Sequence, residues 1–370
     1  MSRLARSAFF WFTLFVAASE LLAWWSLPYR LVPKADVAIR NPLSHRAWPE
    51  YLDAEHDARP LVVLISNSQG VGGEIPDDDK IYAAALRAHV ARSGYRFENW
   101  SARGLRTTEL EILTLEAVER GARHVIVVVA ANNFDPPERV DLRYPLSDIP
   151  LLAGAPSLWP ELGGALFMKR TEASDLAWAF VALRSNLARS RLAVIDLLAS
   201  RLPLALHRFA FGRQVRPGER LDSMNDPAIS VYLPAVDLAQ GELAERRASR
   251  SADPESWKII RPAERFTTFA AIFPGLAARF STRGIRMSWI WQPIAPDTGT
   301  AESRSTLDRF VRDATAIIEQ SGVRCEDMTD ALGPGSYVTQ GHFNEEGHRE
   351  FARLLTPIID EDLLGKKRTP

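Results

Sequence analysis

The chain has 370 residues, 46% hydrophobic and 25% charged, enough to bury a substantial core in one large domain or two small ones. Its 45 basic and 46 acidic side chains nearly cancel, which argues against a dedicated nucleic-acid binder. Cys325 is the only cysteine, which excludes an internal disulfide and a cysteine-based metal cluster.

Residues 8–27 are almost wholly apolar. Twenty helical residues at ~1.5 Å each match a hydrocarbon core of about 30 Å, so residues 1–30 read as a short cytoplasmic N-terminus and a transmembrane anchor. Trp11, Trp24, Trp25 and Tyr29 fall near its ends, where aromatic rings favour headgroups, and Arg3 and Arg6 favour a cytoplasmic N-terminus. Glu20 is the one acid inside; at about 2.5–3.5 kcal/mol it can be offset by the surrounding Leu, Phe and Val. A signal peptide processed at Val16-Ala17-Ala18 is the rival reading, but it would leave the apolar residues 21–27 exposed. Either way the remainder is expected on the outer, periplasmic or extracellular side. Residues 31–60, rich in proline and charge, read as a linker or collar.

Residues 61–65, Leu-Val-Val-Leu-Ile, are too short for a typical helix and read as a strand buried on both faces. Ser66-Asn67-Ser68 and a glycine-broken stretch follow. Parallel sheets place chemistry at such strand ends, which makes Ser68 a candidate nucleophile. Acids at 77–79 precede a helical pattern bearing Ile81, Ala84, Leu86 and Val90 and ending at Gly94. A short strand at 97–100 leads to Ser101-Ala102-Arg103-Gly104. Thr107 or Thr108 caps the next helix, which closes at Gly121. A second buried strand, 125–129, ends at Ala130-Ala131-Asn132-Asn133. This β-α-β-α-β rhythm predicts a parallel sheet.

The rhythm stops over 136–261, a mostly helical insertion. Within it, residues 181–220 carry eight arginines against Asp196 and Glu219. Such a segment can contact anionic membrane or an anionic polymer, or present a solvated arginine face. The α/β pattern resumes with a helix at 264–281, a strand at 287–291, a helix at 302–320 and a strand at 323–326. The run Gly341-His342-Phe343-Asn344-Glu345-Glu346-Gly347-His348 then opens a last helix, with 361–370 read as a tail.

Four strand-end blocks in this order resemble the SGNH/GDSL hydrolase superfamily. Ser66-Asn67-Ser68 is similar to its Gly-Asp-Ser, Gly104 to the glycine of its second block, and Ala130-Ala131-Asn132-Asn133 to Gly-x-Asn-Asp. The stretch 339–348 resembles its Asp-x-x-His followed by Asn and Gly-His. The resemblance covers about 61–135 and 262–360 and implies a flavodoxin-like three-layer α/β/α domain with a parallel five-stranded sheet. By the same resemblance, Ser68 is the nucleophile of an esterase or O-acyltransferase and His342 its base. The backbone N–H groups of Ser68 and Gly104 and the side-chain amide of Asn132 form the oxyanion hole. Asn133 is expected to stabilise its loop, and His348 to be structural.

Thr339 stands where the family has aspartate. The site is then a Ser–His dyad, recruits Asp330 or Asp327 to orient His342, or is catalytically dead. No cofactor or metal is expected, since His342 and His348 do not share a helix face. The expected partners are an acylated envelope glycan or lipid, and the membrane through residues 8–27. Two rivals remain: a non-catalytic glycan-binding or scaffold protein, and a lipase-like enzyme with 181–220 as a docking lid.

Overall fold

The computed structural model describes residues 3–30, 58–72, 75, 77–101, 105–134, 173–174, 177, 185, 259, 261–297, 299–339 and 341–364. In chain order the named elements are α1 (Arg3–Arg30), β1 (Leu61–Ser66), the short α2 (Ser68–Val71), α3 (Tyr82–Arg92) and β2 (Arg96–Asn99). They continue with α4 (Thr107–Glu119), β3 (His124–Val129), α5 (Pro262–Thr282), β4 (Arg286–Trp291), α6 (Ala301–Gln320), β5 (Arg324–Asp327) and α7 (Glu345–Leu364). The linker at 31–57, most of the insertion, its basic stretch 181–220 apart from Ser185, residues 102–104 and the tail beyond 364 lie outside the described residues.

Runs of Val, Ile and Leu in β1 and β3 suit a pleated surface covered on both sides, and both strands are buried along their whole length. The five strands pair in the order β2-β1-β3-β4-β5, all parallel. With this order the chain leaves β1 in opposite directions toward β2 and β3, so a crevice opens above the carboxyl ends of β1 and β3. Ser68 follows β1 and Asn132 follows β3.

Successive side chains point to opposite faces, which divides the core in two. Val63, Ile65, Val127 and Trp289 pack with Leu113 of α4, Phe273 of α5 and Phe310 of α6. Val62, Leu64 and Ile126 pack with Leu86 of α3 and Phe351 and Leu355 of α7. Burying each such side chain contributes about 1.5–3 kcal/mol, so both layers are held firmly to the sheet. Phe134, directly after Asn133, stacks on Trp289 and meets Phe269 edge-on, anchoring the end of the β3 loop in the first core.

Two features differ from the sequence reading. α7 runs to Leu364, into the stretch read as tail, because Asp362 is held there by Ser288 and by Arg324 at 3.1 Å. Among the described residues no helix is long and apolar enough to cross a membrane, although α1 forms as one helix and exposes Phe9, Phe10, Trp11, Phe12 and Phe15. Glu20 breaks its apolar surface, and its carboxylate accepts a hydrogen bond from Ser185 Oγ.

Candidate active site

The turn that carries Ser68 is built by its neighbours. Asn67 adopts an extended conformation and caps α2, its side-chain oxygen accepting the Gln69 N–H at 3.0 Å. Gly72, with φ of 64°, ends α2 and donates to Ser68 O at 3.0 Å. This leaves Ser68 half-buried on the first helical position, with Gly70 pressed against the neighbouring loop. A Cβ on Gly70 would lie 2.0 Å from Ser101 Oγ and 2.7 Å from Ser66 Cβ, so only glycine fits. Asn99 reinforces that contact, donating to Gly70 O at 2.8 Å and accepting from Ser101 N at 3.2 Å.

The second loop runs from Tyr337 to the start of α7. Tyr337 and Phe343 form an antiparallel bridge, and Val338 N donates to His342 O at 2.8 Å. Asn344 then stitches the loop to the helix. It donates to Gly335 O at 2.6 Å, and its side-chain oxygen accepts from Gly347 N at 2.9 Å. Gly347 is confined to glycine, since a Cβ there would meet Ser336 O at 2.1 Å. Between these fixed points His342 reaches across the sheet edge, and its Nε2 lies 2.7 Å from Ser68 Oγ. Residues 274 apart in sequence are thereby within proton-transfer reach. For Ser68 to donate, the neutral ring carries its proton on Nδ1.

Neutral amides join the strand ends beneath this pair. Asn67 Nδ2 donates to Gln292 Oε1 at 2.5 Å and to Asn133 Oδ1 at 3.4 Å, linking the ends of β1, β3 and β4. Asn133 also accepts from Ala130 N at 2.7 Å and donates to Leu105 O at 2.5 Å, the loop-holding role expected from its position. Arg265 of α5, itself buried, donates to Asn132 O at 2.6 Å. Gln69 is buried too, and its Nε2 donates to Gly341 O, one residue before the histidine. His348 is structural: Nδ1 accepts from Tyr82 N at 3.2 Å, and the ring stacks on Tyr82. Tyr82 donates to Ser66 Oγ at 2.9 Å, and its burial pushes the phenol well above its ordinary range, so it stays neutral.

The residues put forward to orient His342 lie elsewhere in their bonding. Thr339 Oγ1 accepts from the backbone N–H of His342 at 3.2 Å, which fixes the turn rather than the ring. Asp327 accepts both the N–H and the hydroxyl of Thr329, at 3.0 and 2.7 Å. Asp330 is exposed and pairs with Arg304 at 3.0 Å. Neither carboxylate makes a hydrogen bond to His342, because the loop after β5 turns both toward local partners. Asn132 sits on a 3-10 turn, Ala131–Phe134, with its side chain exposed. Gly104 lies outside the described residues. Among the described residues no cluster of three or more His, Cys, Asp or Glu could hold a metal.

Gln69, Gln292 and Arg265 were missed by reasoning from sequence. Gln292 directly follows a predicted buried strand and could have been flagged by the rule that singled out Ser68. A buried Gln69 or Arg265 leaves no local pattern in sequence.

No family model matches the sequence, and no curated protein matches it. Among solved structures the chain is similar to TesA, with 11% identity over 82% of this chain and 99% of that one and a TM-score of 0.40. It is similar to a variant of Axe2, an acetyl-xylooligosaccharide esterase from Geobacillus, with 11% identity over 84% and 97% and a TM-score of 0.39. LAE5, an alpha/beta hydrolase enzyme from the metagenome of Lake Arreo, Spain, gives 13% identity over 80% and 94% and a TM-score of 0.37. Likeness of this size carries no functional weight; the sheet order and the Ser68–His342 pair stand on their own geometry.

Proposed function

We propose that this chain is a serine esterase or O-acyltransferase of the SGNH type. Ser68 attacks an ester carbonyl while His342 takes its proton and returns it to the leaving alcohol. The backbone N–H groups of Ser68 and Gly104 and the Asn132 amide bind the oxyanion, each donor contributing about 10²–10³ in rate. The observation that carries this reading is the 2.7 Å Ser68 Oγ–His342 Nε2 separation at the carboxyl edge of a parallel sheet. Water as acceptor gives a hydrolase and a sugar hydroxyl gives a transferase, with the same residues in the same roles.

A fluorophosphonate probe tests it. Wild type is expected to label covalently and Ser68→Ala and His342→Ala to lose labelling; equal labelling of wild type and Ser68→Ala refutes the enzyme. The second reading, a non-catalytic binding protein on the same fold, is favoured by one observation: Thr339, Asp327 and Asp330 all make their hydrogen bonds away from the imidazole ring. Acylated-glycan binding unchanged in Ser68→Ala, with no turnover in wild type, would select it.

We infer further that α1 holds the domain at a membrane, on its outer face, and that the substrate is an acyl ester of envelope glycan or lipid. The exposed aromatic surface from Phe9 to Phe15 supports the attachment. The arginines of 181–220 suit an anionic polymer or lipid headgroups. Membrane fractionation of the full chain against a chain lacking residues 1–30 checks this; recovery of the full chain in the soluble fraction refutes it.

A further inference from the structure

Resting on the oxyanion assignment of the esterase reading, we propose that Arg265 is a positioning residue for Asn132, holding the backbone from which that amide projects. The core face of α5 runs through Phe269, Ile272, Phe273, Leu276 and Phe280, and Arg265 opens it. At helical spacing this is a place for an apolar side chain. A guanidinium there, only 5% exposed, has to be met by acceptors, because a buried charge without them is costly. Asn132 O is one acceptor that it is given: Nη1 donates to it at 2.6 Å, a short charge-assisted bond.

The turn that bears Asn132 is bonded on both sides of that carbonyl. Ala130 O accepts from Asn133 N at 2.9 Å, Ala130 N donates to Asn133 Oδ1 at 2.7 Å, and Asn133 O accepts from Thr107 Oγ1 at 3.2 Å. One helical turn after Arg265, Phe269 meets Phe134 edge-on with ring centroids 5.1 Å apart. α5 therefore takes hold of the Ala131–Phe134 turn twice, at Asn132 by charge and at Phe134 by apolar contact. Two such grips fix how the short 3-10 segment is rotated about its own axis, and that rotation decides where the exposed Asn132 side chain points. An oxyanion donor is effective when it is already aimed at the place where charge develops. Arg265 supplies that aim from a helix 133 residues further along the chain.

In the full chain, Arg265→Met and Arg265→Gln remove the guanidinium, and Arg265→Lys keeps the charge on a shorter reach. With a short nitrophenyl ester, kcat is expected to fall about 10- to 100-fold in the first two and about 3- to 10-fold in Arg265→Lys. KM should be retained, because an oxyanion donor acts on the transition state. Fluorophosphonate labelling should slow in the same proportion. A double-mutant cycle separates aim from plain stability. Asn132→Ala alone is expected to cost about 10²–10³, and on that background each Arg265 substitution should change the rate by less than about 2-fold. A wild-type rate in any folded Arg265 variant, or the same loss with and without the Asn132 amide, overturns the proposal. An Asn132→Ala variant as fast as wild type overturns it too, while leaving Ser68 and His342 as the esterase pair. Should wild type itself fail to label above Ser68→Ala, the esterase reading fails, and the contact is decided by hydrogen exchange. Peptides covering 130–134 are then expected to exchange about 10-fold faster in the folded Arg265 variants, with those of β3 unchanged. Equal exchange overturns the positioning of Asn132 on its own.

Discussion

Thr339→Asp should raise activity. Thr339 Oγ1 accepts the backbone N–H of His342 at 3.2 Å, so a carboxylate built there keeps an acceptor for that N–H and adds a full negative charge to the loop that carries the histidine. A unit-charge pair at about 4 Å is worth about 1 kcal/mol in water and about 4 kcal/mol at an effective dielectric near 20. Thr339 is half-buried, which places the gain between these limits, at about 2–3 kcal/mol, or roughly 30- to 150-fold in the rate of Ser68 acylation. The gain is electrostatic stabilisation of the imidazolium that forms as Ser68 gives up its proton. The assay is the second-order labelling rate with a fluorophosphonate, alongside turnover of a short nitrophenyl ester. Thr339→Asn is the neutral control and should stay near wild type. If Thr339→Asp is folded yet no faster than Thr339→Asn, a charge at 339 does not act on the imidazole and the reasoning fails.

Three further outcomes follow from the packing. Asn67→Ala loses the α2 cap, worth about 1 kcal/mol, and strands the buried Gln292 Oε1, worth about 1–3 kcal/mol; a urea midpoint shifted by less than about 1 kcal/mol would contradict the network. Gly347→Ala drives a methyl into the Ser336 carbonyl and should destabilise by about 1–3 kcal/mol while displacing His342, read as lost stability and slowed labelling together. His124, buried at the start of β3, is pushed down to about 4 by burial, which outweighs the upward pull of Asp362. Its ordinary value in the unfolded chain is about 6.5, so below that pH the unfolded state binds a proton that the folded state refuses. Stability therefore falls as pH drops from about 6.5 toward 4. A His124→Gln variant that keeps the wild-type loss between pH 7.5 and 5, measured by urea unfolding, would assign the effect elsewhere.

The fold was legible where side-chain chemistry is repetitive. Strands β1 and β3 read as buried because five consecutive branched residues have no other stable home, and the acids at 77–79 and Thr107 marked helix starts. The pairing of Ser68 with His342 was legible because glycine and asparagine frame them at strand and helix ends. What holds the two together was not legible. Asn67, Asn133 and Gln292 are joined by amide hydrogen bonds between residues 66 and 225 positions apart, and nothing local in a sequence marks which amide meets which. Asp327 and Asp330 mislead for the same reason: proximity in sequence to His342 does not tell which way a carboxylate turns, and each turns to a local donor. Summed apolarity over residues 8–27 likewise leaves the Glu20–Ser185 contact invisible.

The two ends of the sheet are built from different chemistry. At the carboxyl end most of the bonds around Ser68 and His342 run between neutral groups, Asn67 to Gln292, Gln69 to Gly341, Asn99 to Gly70 and Asn344 to Gly335, with Arg265 to Asn132 and Lys80 to Glu345 the charged links. The neutral bonds do not respond to pH. At the amino end, His124 meets Ser288 Oγ at 2.7 Å, Ser288 donates to Asp362, and Arg324 binds Asp362, Glu361 and Glu326. Every link there involves a group that titrates or is charged. Acid therefore acts on the fold at the amino end. Protonating the far end loosens α7 from β4, and α7 is the helix that carries the histidine loop at its other end. A cooperative acid-unfolding step that His124→Gln moves and His342→Asn leaves in place is the signature of that division; a step moved equally by both substitutions would mean that the two ends are not independent.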